Sequence, residues 1–402
     1  MNKPKAYMVA TAHLDTVWNW TLEDTVKKYL RETLDRNFEL IEKYPSYRFN
    51  FEGAYRYDLI REYYPEDFER LRRYVAEGRW CVTGSSWENG DVITPAPETL
   101  MRNILYGNRF FEKEFGKKSS DIFLPDCFGF PATLPAIMRH MGLRSFSSQK
   151  LTWNNGEAGY RVPFHTGIWQ GIDGSEVVAS LDPGPYVQSL ERAPSRDREL
   201  FELLSSLPGG KDLRYYGTGD QGGAPTEDSV RFVEEAVGDP DGLVETVSAY
   251  AAQLADELTD EERRALPRTA DELLMIYHGV GSYTSVAPAK RFHRSNEIKA
   301  DLAERGAVFA SWLGVREYPK KTLEKAWRDF IRHEFHDDLT GTSVQRAYRE
   351  TFHDDVIVNN VLDGEIAASF SSLAANVDTA EGEGLKLVVF NPAACARRDL
   401  VE

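Results

Sequence analysis

The feature that most restricts how this chain can fold is the repeated alternation of strand-like and helix-like segments over residues 1–285. Apolar, partly β-branched runs such as AYMVAT near the N-terminus are typical of interior strands of a parallel sheet. Longer charged segments with apolar residues at helical spacing follow them, for example PEDFERLRRYVAEGRW and PETLMRNILYGNRFFEKEFG. This order predicts an α/β domain with a mostly parallel sheet over residues 1–285.

The pattern changes after this domain. Three segments with helical periodicity predict a three-helix bundle over residues 286–378. The segment GEGLKLVVFNPAACARRDLVE then predicts the first strand of a truncated β-sandwich domain in residues 379–402. A chain of 402 residues is too long for one ordinary core, so several domains are expected.

Charge and cysteine content restrict the class of partner. A net charge of −16 argues against a nucleic-acid surface. Cys81, Cys127 and Cys395 have no CxxC spacing and cannot all pair, which favours a reducing compartment. The N-terminus has no long apolar run and the chain has no stretch of about 18 apolar residues, so we expect neither a signal peptide nor a membrane span. These features predict a cytoplasmic protein, which could form a homo-oligomer.

Polar side chains follow the first predicted strand, in the segment AHLDTVWNW. His13 and Asp15 lie two residues apart, so in extended chain they point to the same side. Both can bind a borderline or hard cation. The alternative is that Asp15 caps a turn and His13 is a polar residue satisfied by hydrogen bonds. The chemistry of parallel α/β sheets gathers where strands end, and this position fits that rule.

Three later segments also place polar residues at predicted strand ends. Asp126 lies in FLPDCFGFPATLPAIM, Asp220 in GTGDQGGAPT and His278 in MIYHGVGSYTS. Each has a plainer interpretation: Asp126 could cap the next helix, Asp220 could lie in a solvated glycine-rich loop, and His278 could be structural. The glycines around Asp220 would let a ligand approach the backbone, but they lack the spacing of a phosphate-binding loop.

Taken together, these residues indicate a metal site beside a pair of carboxyl groups. His13, Asp15, Asp126 and His278 could form a zinc site with two histidines and two carboxylates. Nitrogen and oxygen ligands without thiolate also admit manganese or another divalent ion. Asp220 could face Asp126 across the cleft, and paired carboxyl groups perform glycoside hydrolysis.

Five motifs then resemble those of the α-mannosidases of glycoside hydrolase family 38, and they occur in the family's order over almost the whole chain. AHLDTVW resembles the His-x-Asp-x-x-Trp opening, and LPDCFGFPATLPAIM resembles the nucleophile segment. YHGVGSYTS followed by KRFHRSNE is similar to the last zinc-ligand segment, FHDDLTGTS to a turn in the helical bundle, and VVFNP to the start of the β domain. The resemblance implies a catalytic domain similar to a (β/α)7 barrel.

The resemblance also implies roles for individual residues. His13, Asp15, Asp126 and His278 would hold one zinc ion, which would engage the 2- and 3-hydroxyls of a mannose. Asp126 would be the nucleophile of a retaining mechanism, with Asp220 as general acid and base. Trp18 would lie under the sugar ring. Independently of the resemblance, Trp87 in SSWENGD lies at another predicted strand end and could line the sugar site, the alternative being a place in the core. The substrate would be an α-mannoside oligosaccharide or a small mannoside.

Other interpretations stay open from the sequence. His293, on a predicted helix, and His336 and Asp337, at the join of two bundle helices, are expected to be structural. A metal-dependent sugar deacetylase would also place histidine and aspartate at strand ends, with the metal activating water. A non-catalytic carbohydrate-binding protein on the same scaffold is a second alternative.

Overall fold

The computed structural model describes residues 3–381, 384–398 and 400. In chain order the strands are β1 Lys5–Ala12, β2 Phe49–Glu52, β3 Trp80–Thr83, β4 Asp121–Phe123, β5 Gly129–Phe130, β6 Ser145–Ser147, β7 Thr166–Gln170, β8 Glu176–Ser180, β9 Lys211–Thr218, β10 Glu245–Ser248, β11 Arg268–Thr269 and β12 Leu273–Leu274.

The helices fall between and after these strands. The α-helices are α1 Leu22–Asp24, α2 Leu30–Lys43, α3 Ala54–Tyr63, α4 Pro65–Ala76, α5 Pro97–Phe115, α6 Leu134–His140, α7 Arg198–Ser206, α8 Glu227–Ala236, α9 Gln253–Glu257, α10 Asp260–Ala265, α11 Ala287–Trp312, α12 Lys320–Ile331 and α13 Gln345–Ala374. A π-helical turn, Thr25–Tyr29, joins α1 to α2, and the 3-10 turns are Lys150–Asn154, Glu157–Gly159, Pro194–Arg196, Pro208–Gly210, Val280–Thr284 and Arg332–Glu334.

Strand β1 is the centre of the first sheet, and all its neighbours run parallel to it. It pairs with β9 over its whole length, with β10 through Lys5–Met8, and with β2 through Ala10 and Thr11; β2 in turn pairs with β3. Every residue of β1 after Lys5 is buried. Burial on both faces explains why this strand is apolar rather than alternating, and it confirms the predicted interior strand.

A second sheet has the order β11-β7-β8-β6-β4 and is parallel except for the antiparallel pair β7 and β8. The short strands β5 and β12 form an antiparallel pair of their own. The predicted α/β fold with a mostly parallel sheet is therefore confirmed. The hydrogen bonds between the described strands form separate sheets, so closure into a barrel stays a prediction.

Local sequence sets the ends of the main helices. Helix α5 begins with Pro97, whose missing N–H costs nothing in a first turn, and ends at Gly116 with φ of 65°. Asp197 caps α7 by accepting hydrogen bonds from the backbone N–H groups of Glu199 and Leu200. These elements surround an apolar core that includes Phe49 and Trp80 and extends into the helical region.

Helices α11, α12 and α13 form the predicted three-helix bundle. One face of α11 is made of small buried residues at helical spacing, among them Ala300, Ala303 and Ala307. Small side chains allow close approach: a Cβ added at Gly306 of α11 would come within 3.4 Å of Ser369 and Phe370 of α13. Helices α11 and α13 therefore pack closely against each other.

The segment after α13 contains no strand within residues 375–381, 384–398 and 400, so the predicted β-strand is not seen among them. The predicted domain boundaries stay predictions. Cys81, Cys127 and Cys395 are free thiols. Within the part of the chain that the structure describes, no helix has both the length and the apolar character needed to cross a membrane.

Candidate active site

The carboxyl ends of β1 and β9 are tied together by backbone hydrogen bonds. The His13 N–H donates to the Thr218 carbonyl at 3.2 Å, and the Asp15 N–H donates to the Asp220 carbonyl at 2.8 Å. Strand β9 can lie this close because residue 217 is glycine: a Cβ there would fall 1.8 Å from the Thr11 carbonyl oxygen. The parallel pairing of β1 and β9 thus brings Asp15 and Asp220 to the same edge of the sheet.

A buried arginine, Arg56, fixes the loop that follows β1. Arg56 donates hydrogen bonds to the Leu14 carbonyl from Nε at 2.9 Å and from Nη2 at 2.5 Å. Its Nη1 pairs with Glu88 at 2.7 Å, and both side chains are fully buried. Glu88 also accepts a hydrogen bond from Thr16 at 2.9 Å. Because each polar group in this network has a partner, the loop that carries His13 and Asp15 is fixed without an uncompensated buried charge.

Five side chains form overlapping groups with the composition of a metal site. One group contains His13, Asp126 and His336, and the other contains Asp15, His336 and Asp337. The His13 Nε2 atom lies 3.0 Å from Asp15 Oδ1. The His336 Nε2 atom lies 3.5 Å from both Asp15 Oδ1 and Asp126 Oδ2. All five residues are buried, so the donors converge away from bulk water.

Both histidines have an acceptor on Nδ1 and direct Nε2 towards the carboxylates of the site. The Nδ1 atom of His336 lies 3.1 Å from the Asn89 carbonyl oxygen, which can only accept, so Nδ1 carries the proton. The Nδ1 atom of His13 lies 2.6 Å from Glu52 Oε1. An acceptor on Nδ1 is the usual support for a histidine that binds metal through Nε2. Within the described chain, His336 Nε2 is buried without a hydrogen-bond partner, so this donor set fits a divalent cation.

Burial and neighbouring charges shift the pKa values of His13 and Asp126 in opposite directions. Burial by itself would lower the pKa of His13, but its hydrogen bonds to Asp15 and Glu52 outweigh burial and raise the pKa to about 9. Burial opposes ionisation of Asp126, yet the nearby His336 ring and the charge of Lys150 hold the pKa of Asp126 well below its usual range. Asp126 is therefore ionised at neutral pH.

A tyrosine connects Asp126 to the second predicted catalytic carboxyl group. The Tyr186 hydroxyl lies 3.1 Å from Asp126 Oδ1 and 2.9 Å from Asp220 Oδ1, which limits the separation of the two carboxyl oxygens to about 6 Å. Gly219 makes this possible, since a Cβ there would lie 2.0 Å from the Tyr186 ring. Asp220 has a positive φ of 65°, an uncommon backbone conformation that is found at functional sites.

The pKa of Asp220 moves opposite to that of Asp126. Partial burial raises it, and the negative charges of Asp15 and Asp126 add to the effect. On the other side of Asp126, Lys150 Nζ lies 2.5 Å from Oδ1. The site therefore contains one carboxyl group that favours ionisation and one that favours the proton, the arrangement by which one environment supplies both a nucleophile and an acid.

Comparison with known proteins identifies the fold around this site. The family model described as glycosyl hydrolases family 38 N-terminal domain matches residues 3–279, more than half of the chain. The chain belongs to glycosyl hydrolase family 38. The model described as alpha mannosidase middle domain matches residues 277–356 of this family 38 chain. The resemblance inferred from the five motifs is thus confirmed.

Two curated relatives are similar over most of this family 38 chain. Alpha-mannosidase G of Dictyostelium discoideum is 33% identical over 369 residues, which cover 89% of this chain and 32% of the relative. Alpha-mannosidase 2C1 of Homo sapiens is 30% identical over 346 residues, which cover 84% of this chain and 32% of the relative. The chain therefore spans about a third of the length of these relatives.

A solved structure supports the same fold. The crystal structure of an alpha-mannosidase from Enterococcus faecalis V583 aligns with a TM-score of 0.77 and 20% identity, covering 94% of this chain and 43% of that chain. At this identity the likeness shows the fold.

The family 38 chain brings together three of the four predicted metal ligands. His13, Asp15 and Asp126 lie in the two metal-type groups, and His278 lies in neither. The His278 ring instead packs edge-on against Trp153, with ring centroids 4.5 Å apart, and is partly exposed. His336, which was expected to be structural, is the histidine that lies beside Asp15 and Asp126.

The two predicted sugar-contacting tryptophans have different surroundings. Trp18 is half-buried, and its ring lies edge-on to Trp20 with centroids 5.9 Å apart. Trp87 is 3% exposed and packs in the core against Tyr55 and Phe110. Such a buried ring is core packing and offers little face to a ligand.

Sequence reasoning missed four side chains of the site: His336, Asp337, Lys150 and Tyr186. His336 lies in the FHDDLTGTS segment, where a run of polar residues between two helices was the available signal. Lys150 begins a 3-10 turn and Tyr186 lies in irregular chain after β8, so neither has a periodic pattern that would reveal it.

Proposed function

We propose that this chain hydrolyses terminal α-mannosides with retention of configuration, with Asp126 as nucleophile and Asp220 as general acid and base. The observation that carries the proposal is the shared contact of both carboxyl groups with the Tyr186 hydroxyl, which limits their oxygens to a separation of about 6 Å. Retaining glycosidases have carboxyl groups about 5–5.5 Å apart, whereas inverting enzymes need roughly 6.5–9.5 Å to admit a water molecule. We infer that the sugar is mannose because the similar proteins are named alpha-mannosidases.

The first half of the reaction needs one protonated and one ionised carboxyl group. Asp220 donates its proton to the departing glycosidic oxygen as the bond from that oxygen to the anomeric carbon breaks. A carboxylate oxygen of Asp126 forms the new bond to the anomeric carbon. The raised pKa of Asp220 and the lowered pKa of Asp126 support this assignment.

The second half reverses these roles. Asp220, now ionised, takes a proton from water, and the water oxygen displaces Asp126 from the anomeric carbon. Lys150, 2.5 Å from Asp126 Oδ1, stabilises Asp126 as it becomes a carboxylate again. Trp18 is proposed to contact the sugar ring.

A divalent cation, zinc in this proposal, would be held by His13, Asp15 and Asp126, with His336 in place of His278. Bound there, it would supply positive charge for binding adjacent sugar hydroxyls. The support is the unpartnered Nε2 of His336 among the described residues and the nitrogen and oxygen donor set.

Trapping of the covalent intermediate tests the proposal. The zinc-loaded chain is incubated with a mechanism-based fluorinated mannoside, and its peptides are analysed by mass spectrometry. We expect one fluoromannosyl group on the peptide that contains Asp126. A label on another carboxyl group would overturn the assignment, and turnover with no label, combined with release of acetate from an acetylated sugar, would favour the deacetylase.

A further inference from the structure

A second group of potential metal ligands lies apart from the candidate active site and shares no residue with it. His293 and Glu297 are one turn apart on helix α11, and Glu334 ends the 3-10 turn after α12. One donor atom from each residue lies within 4.8 Å of the other two. The three residues are 3%, 5% and 0% exposed, so the group is sealed from solvent.

Two of these side chains present a buried atom that lacks a partner. The unpartnered atoms are His293 Nε2 and Glu334 Oε1, considering residues 3–381, 384–398 and 400, whereas Glu297 Oε2 lies 2.5 Å from Arg294. His293 Nε2 lies 3.2 Å from Glu297 Oε1 and 3.6 Å from Glu334 Oε1. Buried polar atoms are nearly always paired, so two that face each other need an explanation.

The other oxygens of the two glutamates are held by neighbouring elements. Glu297 Oε1 accepts hydrogen bonds of 2.7 Å from the Ala96 N–H and the Thr99 hydroxyl at the start of α5. Glu334 Oε2 accepts a hydrogen bond of 2.9 Å from the Asn103 amide. These bonds orient both carboxyl groups. They leave Glu334 Oε1 without a hydrogen bond and place Glu297 Oε1 towards His293 Nε2.

Charge balance around the group is incomplete. Arg294, which is about half exposed, lies 2.5 Å from Glu297 Oε2 and can balance that carboxylate. For Glu334, the ion-pair partner within the described chain is His293 alone, at 3.6 Å. A buried carboxylate without a close partner is costly, and either a proton or a cation must offset the cost.

The distances suit a cation. Ligands at 2.0–2.2 Å from a tetrahedral metal lie roughly 3.3–3.6 Å from each other. The His293 to Glu297 and His293 to Glu334 separations of 3.2 and 3.6 Å are close to that range. One imidazole and two carboxylates are ligands that zinc, cobalt and manganese accept.

We propose that His293, Glu297 and Glu334 form a second divalent-cation site with a structural role. The site joins α11 to the turn that precedes His336 by two residues, in the segment where the Asp91 N–H also donates to the Glu334 carbonyl at 2.8 Å. An ion there would tie the bundle to the strand-end loops and hold the segment that carries His336.

Metal stoichiometry of the full chain tests this site separately from the catalytic one. The chain is loaded with Zn²⁺, freed of loose metal by gel filtration, and analysed for zinc per chain. We expect two ions in the native chain, one in Glu334→Gln, one in His293→Gln and one in His13→Asn. The control His353→Asn removes a histidine whose side chain is 74% exposed, and it should retain two.

The same experiment separates failure of this proposal from failure of the catalytic site. One ion in the native chain that disappears in His13→Asn would overturn the second site and leave the first. One ion that disappears in Glu334→Gln but persists in His13→Asn would support the second site and count against the first. Two ions retained in both Glu334→Gln and His293→Gln would overturn the second site.

A measurement in the His13→Asn chain covers the case in which Glu334→Gln does not fold. With the catalytic site disabled, Zn²⁺ should still raise the Tm, because an ion that binds only the folded chain stabilises it. Co²⁺ should give the visible absorption bands of a four- or five-coordinate ion. Absence of both the Tm rise and the bands would overturn the proposal.

Discussion

Asp126 and Asp220 contact the same hydroxyl group: Tyr186 lies 3.1 Å from Oδ1 of the first and 2.9 Å from Oδ1 of the second. A tyrosine hydroxyl has one proton, so it can donate to only one carboxylate at a time. The second contact is satisfied when the other carboxyl group is protonated and donates to the tyrosine oxygen. Burial raises the pKa of Asp220 and favours its proton, whereas a hydrogen bond donated by Tyr186 favours the ionised form of Asp220.

Replacement of Tyr186 by phenylalanine should therefore reduce catalysis. A hydrogen bond to a charged group contributes about 1.5–3 kcal/mol, so we expect kcat/KM on an aryl α-mannoside to fall about 10- to 100-fold. The Tyr186 hydrogen bond lowers the pKa of Asp220. Its loss should raise that pKa and move the basic limb of the pH profile to higher pH.

A matched control is Tyr216→Phe. The Tyr216 hydroxyl is buried and has no hydrogen-bond partner among the described residues. Its removal should leave both kcat/KM and the pH profile unchanged. Equal losses in the two variants would mean that Tyr186 acts only through packing.

Substitution of Asp220 by asparagine should reduce activity by an amount that depends on the leaving group of the substrate. Without the general acid, mannosides with poor leaving groups should lose about 100-fold or more in kcat/KM, while an activated dinitrophenyl mannoside should lose much less. Asp126→Asn, which removes the nucleophile, should abolish turnover of both. A uniform loss across leaving groups in Asp220→Asn would contradict its role as acid.

The two candidate histidine ligands can be distinguished by metal analysis. His336→Asn should lose one zinc ion per chain and should lose activity, because His336 Nε2 faces Asp15 and Asp126 at 3.5 Å. His278→Asn should keep its zinc, because His278 lies in neither metal-type group. Circular dichroism of both variants checks folding, and zinc loss in His278→Asn alone would reverse the assignment.

Asp121 gives a prediction for the pH dependence of stability. Burial raises its pKa from 3.8 to about 6, although a hydrogen bond from Ser119 and one from the Gly84 N–H oppose the shift. The folded chain therefore binds this proton more tightly than the unfolded chain does. The stabilisation is fully present below pH 3.8 and is lost as the pH rises through 6.

Asp121→Asn removes this titration while keeping similar shape. The free energy of unfolding of the variant relative to the native chain should increase by about 2 kcal/mol between pH 4 and pH 7.5. Unfolding measured at several pH values checks it. Asp228→Asn, at a carboxyl group that is 76% exposed, controls for the loss of one negative charge. A difference that does not vary with pH would show that Asp121 does not titrate in this range.

The sequence by itself determined the order of elements and the residues at the ends of strands. The apolar run of β1 predicts a strand buried on both faces, and helical periodicity predicts α11, α12 and α13, because local patterning reports which face of an element is buried. Polar residues directly after β1 and β9 could be recognised in the same way. The cytoplasmic location and the homo-oligomer stay predictions.

Only the tertiary structure decided which histidine joins the carboxylates. His278 lies four residues after β12, and His336 lies two residues after the 3-10 turn that follows α12. Neither position has a local pattern that identifies a ligand. The choice depends on long-range contacts: the Asn89 carbonyl fixes the His336 ring, and the Tyr186 hydroxyl reaches Asp126 from a loop without periodicity. Such contacts join residues far apart in the chain, and a local pattern cannot encode them because it is set by neighbouring residues alone.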